Sequence, residues 1–149
     1  TGQVLESLLT EALIHPYFTA RPPKSTGPET FHLEWLGTLL SGQEEPEDVQ
    51  RTLLEIVVES IGLALDDVSS SVIRICGGGA RNHLLMSRLA ARLAPADITS
   101  TDSIDIDPQW VEAWAFAWLA KQTLAGAPGN VPTVTGAKGP RVLGAIYPA

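Results

Sequence analysis

One cysteine and one methionine stand in 149 residues, and that scarcity sets the first limits. A single cysteine cannot close an intrachain disulfide, which fits a reducing, cytoplasmic compartment. No run of 18 or more apolar residues occurs, so nothing reads as a membrane-spanning helix, and no secretory leader is visible. Charge is sparse as well. Asp, Glu, Lys and Arg make up 18% of the chain, with 17 acids against 10 bases and a net charge of −7. A nucleic-acid binder carries a basic patch, and none is visible. The acid excess serves solubility. What the chain does have is apolar bulk: hydrophobic residues are 44% of it, enough for one domain with a real core. It begins at Thr1 in an already helical pattern, Val4, Leu5, Leu8, Leu9, Ala12 and Leu13. That reads as a fragment whose preceding part lies outside these residues.

The spacing predicts an amphipathic helix over 3–14. A loop follows over 15–30, where His15-Pro16, Pro22-Pro23 and Gly27-Pro28 break any period. Phe31 to Leu40 reads as a short helix stopped by Gly42. Pro46 opens a long helix to about Leu65, with Val49, Leu53, Ile56, Val57 and Ile61 at helical spacing and Asp66-Asp67 ending it. A strand is predicted over 71–76, a helix over 81–94 and a short strand over 96–100. Asp107 caps a helix that starts at Pro108, runs to about Leu124 and stops at Gly126. The tail from Val131 is rich in Gly and Pro, with a strand over Arg141–Ile146. Few strands with helical crossovers between them favour an α/β layered domain.

The most informative stretch is Val72-Ile73-Arg74-Ile75-Cys76-Gly77-Gly78-Gly79-Ala80-Arg81-Asn82. A β-branched run stops at three glycines, and a helical pattern of Leu84, Leu85, Leu89 and Leu93 follows. Glycine has no Cβ, so the turn can present bare N–H groups close to a ligand. The helix after it aims its N-terminal N–H groups and positive dipole end at the same place, which suits a phosphate. The spacing is neither the dinucleotide fingerprint nor the P-loop: Asn82 stands where the third glycine would be, and no Gly-Lys-Ser/Thr occurs. A turn that merely connects strand to helix is the alternative.

In the predicted helix over 108–124, Trp110, Trp114 and Trp118 recur every four residues, and Val111, Ala113, Ala115, Phe116, Ala117 and Leu119 fill most other positions. A helix apolar nearly all round is expected to be buried on most faces. Glu112 is then an isolated carboxylate that needs a partner or a polar cleft, and it is a candidate for gripping ligand hydroxyls. The alternative is a Glu turned to solvent. The tryptophans read as core rather than as a sugar platform. Cys76, ending a buried strand, reads as a small core residue. His15, His32 and His83 have no metal-ligand spacing and read as surface or helix-cap residues. Asp102, Asp105 and Asp107 lack the calcium-loop glycine and terminal Glu, and read as a solvated loop plus a cap.

Several segments taken together, His15-Pro16-Tyr17-Phe18, Pro22 through Phe31, Cys76 through Asn82, Asp107-Pro108 through Ala117, Thr133 through Ala137 and Leu143 through Pro148, resemble in order and spacing the C-terminal half of the anhydro-N-acetylmuramic acid kinase family. The resemblance covers essentially the whole chain. It departs at Asp105, where glycine is expected, and at Pro28, where arginine is expected.

The resemblance implies an RNase-H-like domain of the sugar-kinase/Hsp70/actin superfamily, one half of a two-domain enzyme that closes on ATP and sugar. It implies phosphorylation of the 6-oxygen of 1,6-anhydro-N-acetylmuramate while water opens the anhydro bridge, a step of peptidoglycan recycling, normally with Mg²⁺. Gly77, Gly78, Gly79 and Asn82 would then face the nucleotide and Glu112 the sugar. The general base is expected upstream of Thr1, so no catalytic residue is assigned within the chain. The implied partners are ATP and a small sugar, without nucleic acid or membrane, and a homodimer is open for the full-length enzyme. Levoglucosan kinase and a non-catalytic nucleotide- or sugar-binding domain of the same superfamily are the alternatives. The Pro22–Phe31 and Thr133–Ala137 loops receive no role.

Overall fold

The computed structural model describes residues 2–66 and 71–147. Its spine is the helix α4, Pro46–Leu65. Pro46 opens the helix, and Glu47 and Asp48 in its first turn suit the positive dipole end. α1, Glu6–Leu13, lies against it. The two are tied at their starts: the Thr52 hydroxyl donates to the Asp48 carbonyl (2.7 Å) and accepts from the Leu5 N–H (2.9 Å). Asp48 Oδ1 accepts from the Gln3 N–H. Buried Leu8 and Ala12 of α1 and Ile56 and Val58 of α4 show how the helical period converts into a shared apolar face.

Two short helices complete this core. α2, Pro16–Thr19, falls within the stretch predicted as loop; α3 is Leu33–Leu39. The segment between them was legible only as irregular because its order comes from tertiary packing of rings. Phe31 lies 5.4 Å from Phe18, 4.9 Å from Trp35 and 5.0 Å from His15, mostly edge-to-face. Lys24 fastens this segment, with Nζ donating to the carbonyls of Tyr17 and Phe18 and lying over the Tyr17 ring. His15 and His32 act as helix caps, their Nδ1 atoms accepting from the N–H groups of Tyr17 and Trp35.

The second part of the chain is α/β. β1, Val72–Ile75, and β2, Asp97–Ser100, form a parallel pair in which Ile73 faces Ile98 and Ile75 faces Ser100. α5, His83–Arg92, connects them and packs on α4. The predicted helix over 81–94 is thus divided: a 3₁₀ turn, Gly78–Arg81, comes first, and Asn82 separates it from α5. A second 3₁₀ turn, Thr101–Ile104, leads toward α6, Val111–Leu124, and the short α7, Pro132–Thr135, follows. The architecture is mixed α/β with a small parallel sheet.

Further expectations fail. α1 begins at Glu6 rather than residue 3. α6 begins at Val111, because Asp107 Oδ1 accepts from the Gln109 N–H and caps a turn over 108–110 instead of the helix itself. The predicted strand over Arg141–Ile146 is absent. Its backbone is held by isolated bonds, Arg141 N–H to Asn130 Oδ1 and Gly129 N–H to the Arg141 carbonyl, with no neighbouring strand to pair with among the described residues. Finally, α6 is not buried: Trp114 is 57% and Phe116 70% exposed, and no residue of the helix is buried. Asp67, named as part of the α4 stop, and Pro148 lie outside the described residues.

Candidate functional site

In a parallel pair both strands end on the same side, and the crevice beyond those ends is where open α/β sheets hold ligands. Here β1 runs out into Cys76 and the glycines, and β2 into Thr101 and the 3₁₀ turn. Gly77 is in the left-handed region (φ 76°), a conformation that favours glycine. Its N–H donates to the Pro108 carbonyl at 2.8 Å, which draws the start of the α6 segment onto the glycine turn. An added Cβ at Gly77 or Gly78 would meet nothing within 4 Å, so the ground in front of the turn is open. At Gly79 a Cβ would press on Leu85 Cδ2 at 3.3 Å, so this glycine lets the turn lie close on α5.

Asn82 has a local task. Its Oδ1 accepts from the Leu85 N–H at 3.1 Å, capping α5, while its own N–H donates to the Gly79 carbonyl and closes the 3₁₀ turn. Asn82 is therefore what joins turn and helix into one piece. Arg81 and Asp107 approach to 4.0 Å beside it, both largely exposed. Thr101, at the end of β2, was not singled out from the sequence. It is 8% exposed, and its Oγ1 has no hydrogen-bond partner. The available signal was its position, directly after the second strand of a βαβ unit, as Cys76 is directly after the first.

Glu112 is displaced from its expected setting. It stands in the first turn of α6 and is exposed, so no burial cost compels a partner, and the solvent-facing alternative describes it in this chain. It remains on the segment that Pro108 anchors to the glycine turn. The tryptophans Trp110, Trp114 and Trp118 are exposed and are not core. Cys76 is exposed too, because β1 is four residues long and its end is uncovered. Asp102, Asp105 and Asp107 are all exposed. The departure at Asp105 has a geometric meaning: its φ is 60°, left-handed backbone where glycine would be unstrained.

The structure thus gathers Gly77, Gly78, Gly79 and Asn82 at one place, with Pro108 hydrogen-bonded to it and Thr101 at the end of the neighbouring strand, and leaves Glu112 open on the helix that follows. Among the described residues no group of three or more His, Cys, Asp or Glu could hold a metal ion. None of their helices is long and apolar enough to cross a membrane.

A family model described as anhydro-N-acetylmuramic acid kinase matches residues 1–149. Curated relatives carry the same description. One from Nitrosospira multiformis is 49% identical over the whole of this chain and 41% of its own length. One from Coxiella burnetii is 49% identical over 99% of the chain and 40% of its own length. One from Chromohalobacter salexigens is 47% identical over 99% of the chain and 41% of its own length. The chain therefore spans about two fifths of the length of these relatives. The matches carry membership and extent; they do not support the expected placement in the C-terminal half.

Proposed function

The chain belongs to the anhydro-N-acetylmuramic acid kinase family, and from that premise we propose that it supplies the nucleotide-holding wall of an ATP-dependent kinase acting on 1,6-anhydro-N-acetylmuramate. The observation that carries this reading is the open ground before Gly77 and Gly78 at the carboxyl ends of β1 and β2. A phosphate group there meets bare backbone and the positive end of α5. The parallel pair with its α5 crossover supports an RNase-H-like domain. The absence of a basic patch at a net charge of −7 supports a small-molecule substrate over nucleic acid. The substrate's place in peptidoglycan recycling accords with a cytoplasmic enzyme.

In the proposed reaction the oxygen of water bonds to C1, the C1–O6 bond of the anhydro bridge breaks, and O6 takes the γ-phosphoryl group of ATP. The products are N-acetylmuramate 6-phosphate and ADP. The proton released by water needs a base. The acids between β2 and α6, Asp102, Asp105 and Asp107, are exposed, and Ser100 Oγ and the Gln109 N–H already bond two of them. The base is therefore assigned to the remainder of the kinase. Mg²⁺ would neutralise charge on the transferring phosphate, and with no acid cluster among the described residues its ligands are assigned there as well. Within this chain Gly77–Gly79 receive the phosphates, Asn82 keeps turn and helix as one unit, and Glu112 contacts the sugar.

The test is an assay of ADP release with ATP, Mg²⁺ and anhydro-N-acetylmuramate. The kinase containing this chain turns over only with sugar present, and the 149-residue chain alone shows none of that turnover. Turnover by the isolated chain within tenfold of the kinase would mean that the base lies inside these residues. Glu112→Gln in the kinase lowers sugar turnover and leaves nucleotide affinity nearly unchanged. The reverse pattern would remove Glu112 from the sugar site.

A further inference from the structure

Glu55 is 4% exposed on the face of α4 that meets α5, and it takes no part in the proposed chemistry. It holds two guanidinium groups. Arg88 of α5 reaches it through Nη2 at 2.7 Å and Nε at 3.1 Å, a forked contact. Arg51, one turn earlier on α4, donates from Nη1 at 2.7 Å. Along the same seam Arg92 Nε donates to Glu59 at 2.8 Å, and its Nη2 lies 3.1 Å from Asp66. Gly62 makes room for this second clamp: a Cβ there would lie 2.5 Å from Arg92 Cζ.

A buried carboxylate is a poor device for stability alone, since a well-packed apolar residue often serves as well or better. Its best-attested use is to fix register between two elements. That use fits α5, which buries only Leu89. One fully buried anchor, with Leu85 and Met86 only half-buried, keeps a helix from lifting away but leaves it freer to slide or rotate. Two ion pairs, at Arg88 and Arg92, fix it along α4. The start of α5 continues through Asn82 directly into the glycine turn. At 1.5 Å per residue, Arg88 stands about 9 Å from Asn82, so a shift at the clamp is carried to the turn by rigid helix.

We propose that Glu55 is a positioning residue for the nucleotide site: through Arg88 it sets where α5 presents Gly77–Gly79. This rests on the reading that the nucleotide lies against the glycine turn. The turn has a second support, the Gly77–Pro108 hydrogen bond, so loss of the clamp misplaces the phosphates without removing their contacts. The signature is a change in nucleotide KM with sugar KM unaltered.

Glu55→Gln in the kinase keeps the shape and removes the charge. It is expected to raise the KM for ATP about tenfold, with the KM for sugar unchanged. Arg88→Lys, at a partly exposed position that tolerates change, keeps the charge, loses the fork and gives an intermediate rise. Ile56→Val, which lowers Tm without touching the ion pair, leaves the KM for ATP at the parent value. A fall in Tm for Glu55→Gln and Arg88→Lys with an unaltered KM for ATP overturns the proposal and makes the clamp structural only. Gly78→Val is measured alongside. If it too leaves the KM for ATP unchanged, the nucleotide is not at the turn, and the functional reading fails rather than the clamp alone.

Discussion

α4 and α6 are both rich in apolar residues, yet one is the spine of the molecule and the other lies open. α4 buries Thr52, Glu55, Ile56, Val58 and Gly62, while α6 buries none of its residues. The difference lies in how apolar positions are arranged against available neighbours. α4 has a sided pattern, with charged residues that meet Arg88 and Arg92 across the seam and apolar residues that meet α1 and the aromatic cluster. α6 is apolar all round, with Glu112 and Lys121 its only charges. Among the described residues the tail lies against it, through contacts such as the Thr123 hydroxyl donating to the Leu143 carbonyl. Hydrophobicity creates the demand for burial, and neighbouring elements decide whether it is met.

The largest expected effect is at the seam itself. Leu89 is fully buried, and Leu89→Ala is expected to destabilise the chain by about 3 kcal/mol, read from urea denaturation. A cost under about 1 kcal/mol would mean that α5 is held by its ion pairs alone.

Next comes pH. Hydrogen bonds from Arg88, opposed by burial and aided by Arg51, hold the Glu55 carboxyl below its ordinary value of 4.5. A carboxylate with a depressed folded value adds stability that is complete above the unfolded value and is lost as pH falls through the folded one. The parent protein should therefore lose stability as pH drops below about 4.5, and Glu55→Gln should show a flatter loss over that range. Identical slopes in thermal melts from pH 5 to pH 3 would contradict the pairing. Glu44, held at about 2 by hydrogen bonds centred on Ser41, contributes to the slope over the same range, but equally in the parent and in Glu55→Gln, so it cancels in the comparison.

Asp105→Gly relieves left-handed backbone and is expected to stabilise by about 1 kcal/mol, measured by the same denaturation. The smallest effect is the sharpest contrast with Leu89: Trp114→Lys on the open helix should change stability by no more than about 0.5 kcal/mol. A loss of several kcal/mol there would mean that α6 is covered after all.

Local signals in the sequence carried much of the fold. α3, α4, β1 and β2 fall where periodicity, Pro46 and the β-branched runs put them, because each is specified by residues within its own span. α2 was missed because ring packing across Phe18, Phe31 and Trp35 orders that segment, and no period reports it. The strand over Arg141–Ile146 failed for the complementary reason: a short apolar run needs a partner edge, and none lies beside it among the described residues. At the site, the glycine run announced its own open turn. The burial of α6, and with it the isolation of Glu112, depended on neighbours that composition could not supply. The clamp at Glu55 was invisible because Glu55 and Arg88 are far apart in sequence, and either alone reads as a charge on the polar face of a helix.

Gly78→Val tests the central claim most directly. Gly78 needs no left-handed backbone, and a Cβ there meets nothing within 4 Å, so the variant should fold as the parent does. The added branch would occupy the ground assigned to the nucleotide phosphates. In the kinase containing this chain, the variant should keep the parental Tm and raise the KM for ATP by about a hundredfold, with the KM for the anhydro sugar little changed. A folded variant with the parental KM for ATP would contradict the account.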